Sequence, residues 1–126
     1  MPCILIVDDC IFSRSILFNA LKKNGFENTV LAEDGCHVVD YYKKYCPDII
    51  ILDVTMPSRS GIEVLRSIIE LDGNARVLMM SALGQEEIIV KCLKIGAKEF
   101  IVKPFKMDRF IKVVNRILYE GDVMKI

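Results

Sequence analysis

Asp8-Asp9, Asp53, Ser81 and Lys103 lie far apart in the chain, yet each follows directly on a short apolar run. Three carboxylates, a hydroxyl and an ammonium, if brought together, suit divalent-metal binding and phosphoryl transfer. Asp8, Asp9 and Asp53 would repel one another without a counter-ion, and a hard, oxygen-loving cation relieves this. Mg²⁺ fits, because it takes one or two carboxylates, keeps waters and bridges to phosphate oxygens. No His or Cys cluster argues for zinc. A carboxylate also serves as a nucleophile that forms an aspartyl phosphate. Asp53 is the best candidate, since it stands alone behind its run while Asp8 and Asp9 make a ready metal pair. Phosphoryl transfer needs positioning and charge neutralisation more than covalent help. Lys103 would supply positive charge, and the Ser81 hydroxyl would donate to a phosphoryl oxygen.

The runs that must position these groups are Cys3–Val7, Ile49–Leu52, Val77–Met80 and Phe100–Val102. Continuous apolar runs without polar alternation suit strands buried on both faces of a parallel sheet. The spacing predicts strands near 3–7, 29–32, 48–52, 76–80 and 99–102. Helices are expected near 12–24, 36–45, 62–71, 85–95 and 107–119. Ile16, Leu17, Ala20 and Leu21 give the first helix an apolar stripe, Gly25 and Gly96 end the first and fourth, and Pro47 stops the second. A loop over 53–61 contains Pro57 and Gly61. Five strands alternating with five helices read as an α/β, doubly wound sheet. Ligands of such sheets bind outside the carboxyl ends of the strands, which is where all five polar residues fall. Taken singly, an Asp-Asp pair after a strand is usually a turn or cap, and a lone Ser or Lys is usually surface. Their coincidence at successive strand ends is the functional signal.

The chain has 126 residues, 52% of them hydrophobic, which suits one domain with a substantial core. No run is long enough for a membrane span and no signal-peptide pattern opens the chain. Cys3, Cys10, Cys36, Cys46 and Cys92 are odd in number with no Cys-x-x-Cys pair, and read as reduced cytoplasmic thiols. Cys10 is expected to be partly exposed beside the acid pair, and His37, without a visible catalytic partner, to be a surface or packing residue. The formal net charge is zero but uneven. Residues 1–90 hold eight basic against thirteen acidic residues, and residues 91–126 nine against four. The basic part could meet an acidic partner or nucleic acid, although lysines on a helix usually make a solvated face.

The segments Ile4–Asp9, Asp53-Val54-Thr55-Met56-Pro57 with Gly61, Ser81-Ala82 and Lys103-Pro104-Phe105 resemble the receiver domains of two-component response regulators. The resemblance covers nearly the whole chain. It implies a flavodoxin-like (βα)₅ sheet of strand order 2-1-3-4-5, an order taken from the family and not from the spacing. It implies that Asp53 is the phosphoacceptor. Mg²⁺ would be held by Asp8, Asp9, Asp53 and the Thr55 backbone carbonyl, with Ser81 and Lys103 contacting the phosphoryl group. A cis Lys103–Pro104 bond is also implied, against a general prior of only ~5–6%. Asp8–Arg14, Ser81–Gln85 and Gly96–Phe105 resemble the chemotaxis branch. Ser81 stands where Thr is frequent, and the switch aromatic Phe100 where Tyr is frequent, so no phenol is present there. Leu83 borders the phosphoryl position and would slow hydrolysis by excluding water.

The expected function is a phosphorylation-activated switch. It would be loaded on Asp53 by a histidine kinase (CheA-like), read by a flagellar motor switch protein or another protein target, and reset by a phosphatase or by slow self-dephosphorylation. The alternative is a shuttle in a non-chemotaxis phosphorelay. A single receiver domain over 1–126 with no output domain, working as a cytoplasmic monomer, is expected. No recognition helix or basic arm argues for nucleic acid. The output face is expected on the fourth helix, fifth strand and fifth helix, with Lys91, Lys94, Lys98, Lys106, Arg109, Lys112 and an exposed Val90. A dehalogenase-like phosphatase would need Asp-x-Asp after the first strand, whereas the chain has Asp8-Asp9-Cys10. A flavodoxin would need a Gly- and hydroxyl-rich phosphate loop there, and residues 8–14 contain no Gly.

Overall fold

The computed structural model describes residues 1–55 and 60–120. Its elements are β1 (Ile4–Val7), α1 (Ile11–Lys23), β2 (Thr29–Ala32), α2 (Val38–Tyr45), β3 (Ile49–Asp53) and α3 (Gly61–Leu71), followed by β4 (Val77–Ser81), α4 (Glu86–Ile95), β5 (Glu99–Val102) and α5 (Met107–Asn115). A π-helical turn over Arg116–Glu120 prolongs α5, where one continuous helix was expected. The strands form one parallel sheet in the order β2-β1-β3-β4-β5, so the flavodoxin-like, doubly wound expectation holds.

Alternation along the buried strands sends successive side chains to opposite faces and creates two cores. Ile4, Ile6, Ile49, Ile51, Leu78, Met80 and Ile101 pack under α1 and α5 through Leu17, Leu21, Phe110, Val113 and Val114. Leu5, Val7, Ile50, Leu52, Val77, Met79 and Phe100 pack under α2, α3 and α4 through Val38, Val64, Leu65, Ile68 and Cys92. Both faces of the sheet are therefore covered, which is why these strands read as unbroken apolar runs.

The expected boundaries of β3 and β4 fall one residue early. Asp53 and Ser81 are the last residues of their strands, because the parallel ladder continues through them to Met80 and Val102. Ile16 departs further: it is 53% exposed, while Arg14 takes a buried place on α1 with Leu17, Ala20 and Leu21. An i, i+3 step from Arg14 reaches Leu17, and Ile16 lies one residue off that stripe. The loop expected over 53–61 is described at Val54, Thr55 and Ser60; Pro57 lies outside the described residues. α3 opens with the Ser60 hydroxyl accepting from the Ile62 N–H at 3.2 Å. Gly96 ends α4 with φ of +138°, a conformation a side chain would strain.

Candidate functional site

The register sets the site. Val7 lies opposite Leu52, so Asp8 and Asp53 emerge side by side at the carboxyl ends of β1 and β3. The Asp8 N–H donates to the Ala32 carbonyl at 3.1 Å, and the Lys103 N–H to the Ser81 carbonyl at 2.9 Å. These bonds extend the ladders past the strand ends and hold Asp8 and Lys103 in place. The Val54 N–H likewise donates to the Met80 carbonyl at 3.0 Å.

Carboxylate oxygens of Asp8, Asp9 and Asp53 all lie within 4.8 Å of one another. Asp8 is buried at 3% exposure, Asp53 is partly buried and Asp9 is exposed. One Asp8 oxygen accepts from the Cys10 N–H at 2.9 Å, and the other lies 3.5 Å from Lys103 Nζ. Asp53 Oδ1 receives a long contact, 3.4 Å, from the Thr55 N–H. Burial pushes the Asp53 carboxyl above the usual carboxylate range; Asp8 and Asp9 push the same way, while Lys103 and the Thr55 N–H oppose. Among the described residues, one ammonium thus stands with three carboxylates. That donor set fits a hard divalent cation, which would neutralise charge and polarise oxygens bound beside Asp53.

Sequence reasoning assigned no role to Arg14. Its Nη1 donates to the Asp8 main-chain carbonyl at 2.6 Å from a buried position, which ties α1 to the backbone of the Asp8–Asp9 pair. The signal available was an arginine spaced three residues before Leu17 on an apolar helix face. Gly61 carries a second requirement: a Cβ there would collide with the Asp53 carbonyl oxygen and the Val54 Cα, so α3 approaches the end of β3 only because residue 61 has no side chain.

On the other side of Asp53, Ser81 is buried and its Oγ accepts from the Leu83 N–H at 2.9 Å. That bond fixes the path from β4 toward α4. Phe100 is 6% exposed and belongs to the α2–α3–α4 core, against which Ile88, Ile89 and Ile95 of α4 also pack. The Lys103–Pro104 bond is cis. Cys10 is exposed, as expected, at the N-terminus of α1. His37 is exposed at the N-terminal end of α2, 3.8 Å from the Asp40 carboxylate.

The response regulator receiver domain model matches residues 4–115. The chemotaxis protein CheY of Bacillus subtilis is 44% identical over 115 residues, 91% of this chain and 96% of that protein. The sporulation initiation phosphotransferase F of the same organism is 35% identical, over 91% of this chain and 92% of that protein. A solved CheX–CheY–BeF₃–Mg²⁺ complex from Borrelia burgdorferi contains a chain that superposes with a TM-score of 0.88 at 41% identity, covering 93% of this chain and 89% of that one. Sheet order, acidic strand-end cluster and these similarities agree: the chain belongs to the response regulator receiver domain family, as a CheY-like member.

Proposed function

We propose that the chain is a phosphorylation-activated switch in which Asp53 accepts a phosphoryl group from a phosphohistidine of a CheA-like kinase. The observation that carries this is the Asp8–Asp9–Asp53 cluster with Lys103 Nζ 3.5 Å from Asp8. An Asp53 oxygen attacks phosphorus, the P–N bond breaks, and the histidine leaves with the bonding pair. Asp8, Asp9, Asp53 and the Thr55 carbonyl are the residues that would hold Mg²⁺, which supplies charge neutralisation at the transferred group. Lys103 swings from Asp8 to a phosphoryl oxygen, and the Ser81 hydroxyl turns from the Leu83 N–H to donate to another. Phe12, 78% exposed, and Ile16, 53% exposed, offer an apolar approach for the kinase on α1.

The output face is proposed on α4, β5 and α5. Leu83, Leu93 and Val102 are exposed apolar residues of this region, and Gly84 leaves room against the Val102 side chain. Lys98, Lys106, Arg109 and Lys112 add positive charge, which suits an acidic-amphipathic segment docking in a groove. Similarity to chemotaxis proteins favours a flagellar-motor switch protein as its source. The similarity to a sporulation phosphotransferase supports a second reading, onward transfer to another relay protein. A phosphatase partner, slow self-dephosphorylation and a cytoplasmic setting go with the switch reading.

Asp53→Asn tests this reading. Intact-protein mass spectrometry after acetyl phosphate and Mg²⁺ should show one added phosphoryl group on the native chain and none on the variant. Equal labelling of both removes Asp53 as acceptor.

A further inference from the structure

The sequence placed Val90, Lys91 and Lys94 with β5 and α5 on one output face. The structure turns them toward α3. Arg66 of α3 and Glu87, Val90, Lys91, Lys94 and Ile95 of α4 line one open groove of about 510 Å³. Residues 87, 90, 91 and 94 share a helix side by their three- and four-residue spacing. We propose that this α3–α4 groove is a docking site for an acidic segment of a partner protein that anchors one apolar side chain against Val90 and Ile95, separate from the output face.

Three observations carry the proposal. First, the cations converge from two helices, whereas a solvated lysine face would run along one. Among the described residues, Arg66, Lys91 and Lys94 have no carboxylate within ion-pair distance. Second, among the described residues the lining holds three cations against the one carboxylate of Glu87, so the complementary ligand is anionic. Third, Val90 is 40% exposed and Ile95 lies partly buried beside it, giving the groove an apolar floor between the charges.

A peptide fits this lining better than nucleic acid does. Among the described residues no aromatic side chain lines the groove for base stacking, and Glu87 would face the phosphates. A segment carrying Asp and Glu around one Leu or Ile would match both the charges and the floor. Its position has a consequence for signalling. The inner side of α4, through Ile88, Ile89, Cys92 and Ile95, packs in the core that holds Phe100. An occupant of the groove therefore rests on the helix that carries the output face, without covering that face.

The test uses the full chain and a short fluorescein-labelled peptide with a central Leu flanked by Asp and Glu. Binding should be saturable and should weaken with added salt. Amide shift changes should concentrate at residues 63–70 and 86–96. Arg66→Glu with Lys91→Glu should weaken affinity roughly tenfold, since each change removes an attraction at an exposed pair and adds a repulsion. Lys94→Gln, a milder change, should weaken it by a few-fold, and Lys22→Glu on α1, an exposed lysine outside both faces, should leave it unchanged. Circular dichroism checks that each variant is folded. Shifts confined to Leu83, Val102 and α5 overturn the groove while leaving the output reading intact. Affinity unchanged in the double variant overturns it as well. Equal binding of a Leu-free acidic peptide overturns the apolar anchor. Tighter binding of a single-stranded oligonucleotide, or self-association of the chain through these residues, overturns the partner class. Phosphorylation of Asp53 is measured separately and is not at stake.

Discussion

Asp8 and Asp9 are neighbours in the chain but differ in environment. Asp8 is buried and bonded on both sides, to the Cys10 N–H and toward Lys103, whereas Asp9 is exposed. Removing the Asp9 charge should therefore affect metal binding and repulsion more than packing. Two like charges 4.8 Å apart repel by roughly 0.9 kcal/mol even at the dielectric of water. Asp9→Asn should weaken Mg²⁺ binding and stabilise the metal-free protein by about 1 kcal/mol, read from urea melts in EDTA. A clear loss of metal-free stability would count against mutual repulsion in the cluster. Ser81 has a different weight. Its hydroxyl holds the Leu83 N–H, so it links the end of β4, beside Asp53, to the start of α4. Ser81→Ala should still accept a phosphoryl group on Asp53 with Lys103 in place. Its phosphorylated form should bind the output partner at least tenfold more weakly than phosphorylated native protein. Equal partner affinities, measured by anisotropy, would uncouple Ser81 from the response. Phe100 lies buried in the core that α4 packs against, where it is the expected partner of Ser81 in the response.

At the scale of elements, side-chain bonds hold the helix ends around the sheet. The Tyr42 hydroxyl of α2 donates to Asp72 at the end of α3 at 2.6 Å. That bond, with the Asn74 N–H, holds the Asp72 carboxyl below the usual range, and burial and Asp72 together push the Tyr42 phenol up. A carboxylate with a lowered folded pKa adds stability that is present above its unfolded pKa and is lost as pH falls through the folded value. Tyr42→Phe should therefore destabilise the protein near neutral pH and flatten the acid limb of its stability curve. Parallel melts from pH 7 down to about pH 3, across the ordinary carboxylate range, would show this. An acid limb as steep as in the native chain would mean that Asp72 owes nothing to Tyr42. Gly61 acts at the same scale, because its missing side chain lets α3 begin against the backbone of Asp53.

For the whole molecule, the sheet is the shared frame: one core lies under α1 and α5, and the other under α2, α3 and α4. The site sits at the edge where both meet, so a ligand bound there stabilises the folded domain as a unit. Mg²⁺ with beryllium fluoride, a phosphoryl mimic, should raise stability by about 2.7 kcal/mol at a hundred-fold excess over its dissociation constant. Thermal melts should show the gain in the native chain and not in Asp53→Asn. A gain of equal size in the variant would place the mimic elsewhere.

Much of this molecule was legible before any fold was known. Fully buried parallel strands must be apolar along their whole length, so β1, β3 and β4 announce themselves, and the polar residues behind them mark the carboxyl edge. Side-chain chemistry then points from three acids and one lysine to a cation and a phosphoryl group, while the family resemblance supplied the strand order. The remaining features depend on contacts between segments distant in sequence. A periodic stripe identifies a buried helix side only to within a residue or so, so Ile16, expected on the stripe, lies exposed and Arg14 lies buried once α1 is seated on the sheet. The ends of β3 and β4 depended on ladder partners, which carry Asp53 and Ser81 into the strands. The facing of Val90, Lys91 and Lys94 could not be read from α4 alone, because a helix side takes its meaning from the neighbour beside it. Here that neighbour is Arg66 on α3, and only the packing of the two helices brings it there.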